Sequence, residues 1–237
     1  MKEYPDQYFD LAVVDPPYGA GFTEKGGNKG WFTKYHQEQK PETVSTKPLR
    51  FHGGDRWNKY IDQQMPDDNG NKKKTIVWDV APGPEYFEEL FRISKNQIIW
   101  GGNYFPLPPT RCFLIWRKLT ISENFTMAMA EYAWTSFDEN AKVFDYAPQD
   151  SKRFHPTQKP KALYDWIFGK YAKPGMKILD THLGSGSSRL AAYDAGLDFV
   201  GYEIDKVYFD KQEERFNAHI SQQSLFTLGE QIEQMEI

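Results

Sequence analysis

The chain carries one cysteine, Cys112, so it can form no internal disulfide, and the thiol sits in the apolar run Cys112-Phe113-Leu114-Ile115-Trp116, the setting of a buried structural sulfur. No apolar stretch approaches the roughly 20 residues that a membrane-spanning helix needs. Met1 to Asp10 is polar and charged, which is not a signal-peptide pattern. A soluble, cytoplasmic protein with no membrane partner is expected. Basic charge is not in surplus either, because the formal net charge is −4, and a nucleic-acid partner has to be argued from how charge is distributed. That distribution is uneven. Residues 19–74 hold 11 Lys or Arg against 7 Asp or Glu, whereas residues 203–237 hold 8 acids against 3 bases. One stretch can face phosphates and the other cannot. There is no internal repeat and no low-complexity tract.

Aromatic residues are plentiful, with 7 Trp, 14 Tyr and 17 Phe, enough for a core and for rings that stack on bases. At 237 residues the chain suits one domain spanning 1–237, with a 19–74 inserted loop region and a 221–237 tail. Phe9 to Val14 is a nearly continuous apolar run, as expected of a strand covered on both faces, and Pro16-Pro17 stops it. Residues 19–74 then dissolve into Gly, Lys, Asn, Gln and Asp, a length of irregular chain that is either functional or disordered. Further strands are expected at 75–78, 97–100, 112–116, 130–134, 142–146, 177–180 and 199–202. Helices are expected from Pro84, where Tyr86, Phe87, Leu90, Phe91 and Ile93 share a face, and over 159–172, 187–195 and 206–220. Leu225, Leu228, Ile232 and Met235 form a short apolar seam that Gly229 interrupts, suited to docking on the protein's own core. Alternating strands and helices predict an α/β fold, a Rossmann-like, doubly wound, mostly parallel sheet with helices on both faces.

Two motifs carry chemistry. In the first, Ile178-Leu179-Asp180-Thr181-His182-Leu183-Gly184-Ser185-Gly186-Ser187 reads as a strand turning through glycines into a helix. Gly184 and Gly186 allow a tight turn and close approach, and the helix starting near Ser187 presents its first free amides with the positive end of its dipole. Glu203, 19 residues beyond Gly184 at the end of the next strand, can accept two ribose hydroxyls. Together these make a nucleotide-cofactor pocket. The third small residue of a dinucleotide fingerprint would fall at Arg189, which is bulky, so a nicotinamide or flavin cofactor is disfavoured.

The second motif is Asp15-Pro16-Pro17-Tyr18. An exocyclic amino nitrogen on a base is a poor nucleophile because its lone pair is delocalised into the ring. The Asp15 carboxylate and the Pro16 carbonyl can each accept one of its N–H bonds, and the carboxylate can receive the proton released on substitution. The prolines fix the backbone, and Tyr18 offers a ring for stacking. No metal is required. The competing reading is an ordinary turn, since Asp-Pro-Pro is good turn chemistry. If the strands ending at Asp15 and Asp180 are neighbours at the point where strand order reverses, the two motifs meet.

These motifs, in this order and with His155-Pro156-Thr157-Gln158-Lys159-Pro160 before the glycine loop, resemble the amino-methyltransferases of DNA in their β arrangement. The resemblance implies S-adenosylmethionine as methyl donor and double-stranded DNA with a flipped target base as partner. It also implies that His155, Thr157, Gln158, Lys159 and Asp180 line the amino-acid end of the donor, with Gly184, Ser185 and Gly186 in the loop beneath. The family commonly has Pro-Phe after the strand-ending aspartate, where this chain has Thr181-His182, and His182 is a further donor contact to test. An initial Asp resembles the adenine enzymes and an initial Ser the cytosine ones, so transfer to adenine N6 is expected. Transfer to cytosine N4, an RNA adenine substrate, and an inactive nucleic-acid-binding partner subunit are the alternatives. Methylation at cytosine C5 is excluded, because its nucleophilic cysteine normally follows a proline and Cys112 follows Arg111. Lys72, Lys73, Lys74, Lys152 and Arg153 are expected on phosphates, contacts that position without specifying. Related enzymes often pair, so a homodimer is compatible with the sequence.

Overall fold

A computed structural model describes residues 1–18, 80–124, 127–148 and 153–235, with side chains as far as residue 222. The chain divides into two compact units, Met1–Pro16 with Pro84–Ile237, and Pro17–Gly83. The second unit contains the 19–74 segment, which lies outside the described residues together with the strand expected at 75–78.

The first unit runs β1 (Phe9–Val14), α1 (Pro84–Ile93), β2 (Ser94–Trp100), β3 (Phe113–Arg117), β4 (Ala130–Thr135), β5 (Lys142–Asp145), α2 (Lys161–Tyr171), β6 (Lys177–Asp180), α3 (Ser187–Asp194), β7 (Asp198–Gly201) and α4 (Lys206–Met235). Its 7-stranded sheet has the order β5-β3-β4-β2-β1-β6-β7. β1 pairs parallel with β2 and β6, β6 with β7, and β3 with β5, while β4 runs antiparallel between β2 and β3. The sheet is thus mostly parallel, and β1, the first strand in the chain, lies inside it between β2 and β6.

Alternation along the strands divides the core in two. Leu11 and Val13 of β1 join Ile98, Trp100 and Ile178 under Leu163, Ile167 and Phe168 of α2. Ala12 and Val14 join Ile99 and Leu179 under Phe87, Leu90 and Ile93 of α1. Each fully buried side chain of this size stabilises the fold by roughly 1.5–3 kcal/mol relative to exposure. The polar residue of β1, Asp10, ties both neighbouring strands to it, accepting from Lys95 Nζ at 2.7 Å and from the Lys177 amide at 2.9 Å. The Lys95 hydrogen bond, followed by the Lys177 amide, holds the Asp10 carboxyl below the usual aspartate range. Cys112 is buried and lies 3.7 Å from the Tyr171 hydroxyl, as a structural thiol should.

α4 corrects one expectation. It was to stop near residue 220, yet the helix runs on through Gly229 to Met235, so 221–235 is not a separate tail. A single interior glycine costs about 1 kcal/mol relative to alanine, which a helix of this length absorbs. The start of α4 is secured by Asp205, whose Oδ1 accepts from the Val207 amide at 2.8 Å and the Tyr208 amide at 3.3 Å.

Candidate active site

Strand register brings the two motifs to one edge of the sheet. Leu11 lies opposite Ile178 and Ala12 opposite Leu179, so the chain leaves β1 at Asp15 beside the place where it leaves β6 after Asp180. On the other side Val14 lies opposite Ile99, which puts Asp15 next to Trp100 at the end of β2. In open α/β sheets this carboxyl edge is where ligands bind.

At the acceptor end, Asp15 follows Val13 on the face occupied by α2. Its Oδ2 is bonded to Nζ of Lys159, whose side chain is 4% exposed. The same ammonium lies 3.1 Å from Oε2 of Glu131, and Glu131 Oε1 lies 2.6 Å from Nζ of Lys118. Lys159 stands 5.3 Å over the Trp100 ring and Lys118 5.1 Å over the Trp116 ring, so each cation also has a π face beneath it. Two carboxylates and two ammonium groups therefore alternate in a row in which both lysines are buried and both acids half-buried. Burial alone would raise the Glu131 pKa, but the Lys159 and Lys118 charges outweigh it and hold the carboxyl at about 2. Burial opposes the charge on Lys159, and the Asp15 and Glu131 carboxylates reverse that and raise it above the usual lysine value. Lys159, expected at the amino-acid end of a donor, has its ammonium shared between Asp15 and Glu131.

The glycine-loop end is held mostly by backbone amides. Asp180, 2% exposed, accepts from the His182 amide at 3.0 Å and from the Ser188 hydroxyl at 2.6 Å, so its carboxylate braces both ends of the loop from beneath. Burial lifts its pKa to about 7 against the pull of those two hydrogen bonds. Glu203 accepts from the Gly184 amide at 2.8 Å and from the Asp205 amide at 2.9 Å, and burial raises its pKa as well. Gly184 and Gly186 have φ of +54° and +73°, a region that side chains rarely adopt. A Cβ on Gly184 would stand 3.3 Å from the His155 ring, and one on Gly186 would stand 3.0 Å from Gln212 Oε1.

Around the loop, His155 packs its ring 4.3 Å from that of Tyr208 and lies 3.2 Å from the Thr157 hydroxyl. Burial lowers its pKa to about 3 and that of His182 to about 4, so both rings are neutral at pH 7. Gln158 is buried and its Oε1 accepts from the Phe154 amide at 3.3 Å. Ser185 is buried too, its hydroxyl 3.2 Å from that of Ser187, and Arg215 of α4 holds the Ser185 carbonyl and the Ser187 hydroxyl at 2.9 Å each. Where the family has Pro-Phe, the Thr181 hydroxyl stands 2.5 Å from the Tyr86 hydroxyl and 2.9 Å from His182 Nδ1. The His182 ring thus takes the edge-on place beside Tyr86, 5.6 Å between centroids. Just past Glu203, Ile204 is 80% exposed, an apolar side chain with nothing over it among the described residues.

The remaining expectations divide. Arg153 donates from Nε to the His155 carbonyl at 3.1 Å and from Nη2 to the Pro156 carbonyl, which ties its guanidinium to its own loop. Lys72, Lys73, Lys74 and Lys152 lie outside the described residues. Pro16 is buried with the first unit, while Pro17 and Tyr18 open the second. Glu131, Lys118, Tyr86 and Arg215 escaped the sequence reading. The signal for Glu131 was there, a lone acid as the second residue of the otherwise uncharged strand Ala130-Glu131-Tyr132-Ala133-Trp134.

A mostly parallel sheet with a carboxylate strand end beside a glycine loop and an acidic neighbour defines a Rossmann-like methyltransferase architecture. The chain belongs to the DNA methylase family of N6- and N4-amino-methyltransferases, whose model matches residues 9–214. It is 30% identical to the type II methyltransferase M.HpaI of Haemophilus parainfluenzae over 242 residues, covering 93% of this chain and 72% of that one. It is 22% identical to the type II methyltransferase M2.MboI of Moraxella bovis over 239 residues, covering 92% and 84%. Among solved structures, the PvuII cytosine-N4-specific DNA methyltransferase shares the fold with a TM-score of 0.51 at 10% identity, covering 91% of this chain and 82% of that one.

Proposed function

We propose that the protein methylates the exocyclic N6 of adenine in double-stranded DNA, with Asp15 and the Pro16 carbonyl as acceptors for the amine. The adjacency of β1 and β6 carries this reading, because it puts Asp15 and the Gly184 loop on one sheet edge. The residues fit S-adenosylmethionine. Glu203 keeps lone pairs for ribose hydroxyls beyond its two amide bonds, the first amides of α3 suit a carboxylate, and Ile204 offers an apolar surface beside Glu203. Bound there, the donor supplies a methyl group activated by a sulfonium.

The chain's own residues do the rest. Asp15 draws the amine out of the plane of its ring and takes up its proton, directly or through water, as the nitrogen gains positive charge. The adenine must leave the duplex stack at a cost of a few kcal/mol, and Tyr18 and Pro17 follow the acceptor pair in sequence as a stacking surface. Gly184, Ser185, Gly186 and Ser187 form the donor loop, with His155, Thr157, Gln158 and His182 around it and Asp180 bracing it from below. The 19–74 segment, through Lys72 to Lys74, and Lys152 supply phosphate contacts. An initial Asp supports adenine over cytosine. The test is expression in a methylation-free host followed by sequencing of its DNA for modified bases. N6-methyladenine at a fixed motif is the expected result, N4-methylcytosine would correct the base, and an unmodified genome would sink the reading. Asp15→Ala should keep donor affinity while turnover falls at least about 1,000-fold.

A further inference from the structure

The row Lys118, Glu131, Lys159, Asp15 contains one member whose loss would change the charge felt at Asp15 without touching it. We propose that Glu131 is a positioning residue for methyl transfer, sharing Lys159 with Asp15 and cancelling the second buried lysine so that the surroundings of the reacting amine stay neutral; this rests on the reading of Asp15 above. Glu131 reaches the row because β4 is antiparallel, so that its second residue, near its start, lies at the same edge as the end of β2, where Trp100 pairs with Ala133. Its two oxygens are divided, Oε1 on Lys118 at 2.6 Å and Oε2 on Lys159 at 3.1 Å. Lys118 and Lys159 are 6% and 4% exposed, so water cannot screen them.

The charge count gives the argument its direction. Two ammonium groups and two carboxylates sum to zero. Without Glu131 the row carries one uncompensated positive charge in a low-dielectric setting, next to an amine that must itself become positive as it reacts. The same loss frees Lys159 to settle wholly on Asp15, in competition with the amine for that carboxylate. Both effects act on the chemical step. Buried ion pairs are seldom the most stabilising choice for a core, which speaks against a purely architectural role for three of them in a row.

The test uses the full chain, tritiated S-adenosylmethionine and unmodified genomic DNA from a methylation-free host. Glu131→Gln should bind the donor within about 2-fold of the parent and keep KM for DNA within about 3-fold, while kcat falls on the order of 10- to 100-fold. Adding Lys118→Met restores the charge balance and should recover kcat by at least about 5-fold, which a lost packing contact would not do. A Glu131→Gln protein with the parent's kcat, or a loss that Lys118→Met fails to relieve, overturns the proposal. If Glu131→Gln does not fold, the double variant decides alone. Measurable turnover within about 10-fold of the parent carries the proposal, and a folded but inactive or an unfolded double variant overturns it. Full turnover by Asp15→Ala would instead condemn the reading of Asp15, so the two failures are distinguishable.

Discussion

The two ends of the site handle buried carboxylates in opposite ways. At the acceptor end Asp15 and Glu131 are matched with lysines, and Glu131 is held ionised down to about pH 2. At the glycine loop Asp180 and Glu203 are matched with backbone amides and a hydroxyl, and burial wins, lifting Asp180 to about 7. A charged partner fixes the protonation state of a buried acid, whereas neutral donors fix its position and leave its proton negotiable. Glu131 should therefore keep its charge across a wide range of pH, and Asp180 should not.

The largest expected break in this contrast is Lys159→Met, which leaves Asp15 and Glu131 buried without the cation between them and should cost about 3–5 kcal/mol in urea unfolding. Next is the pH response of Asp180. The folded carboxyl keeps its proton to about pH 7 while the unfolded one releases it near 3.8, so the unfolded state binds fewer protons across that window and stability falls as pH rises through it. Asp180→Asn, whose amide can donate to Ser188 and whose oxygen can still accept from the His182 amide, should remove that fall, at most about 4 kcal/mol, from a stability profile taken between pH 4 and pH 8. Gly184→Ala places a side chain at φ +54° against His155 and should cost about 1–2 kcal/mol, visible as a lower melting temperature with weakened donor binding. The smallest effect is Thr181→Val, which empties the position between Tyr86 and His182 and should cost about 1 kcal/mol. Equal pH profiles for the parent and Asp180→Asn would erase the contrast between the two ends.

Much of the fold could be read from pattern, because β1 and β6 carry apolar pairs or runs and Pro16, Gly184 and Gly186 punctuate the chain after them. The helix α4 was underestimated, since a glycine in a sequence announces a weak point without saying what else holds the helix. At the site, Asp15, Gly184 and Glu203 were legible as strand-end and loop residues. The meeting of Lys159 with Glu131 was not, because it joins residues 28 apart in sequence, across a strand that reverses direction. The two carbonyls of its own loop that Arg153 holds were not legible either, since a turn's carbonyl directions are not written in residue types.

The position of β1 also bears on how the enzyme comes into being. Asp10 on that strand waits for the amide of Lys177, 167 residues later, so all of the chain through β6 must leave the ribosome before β1 acquires its second neighbour. A translation product cut short before β6 has the acidic tetrapeptide and nothing to set beside it. A chain that stops short of β6 therefore brings no glycine loop to Asp15.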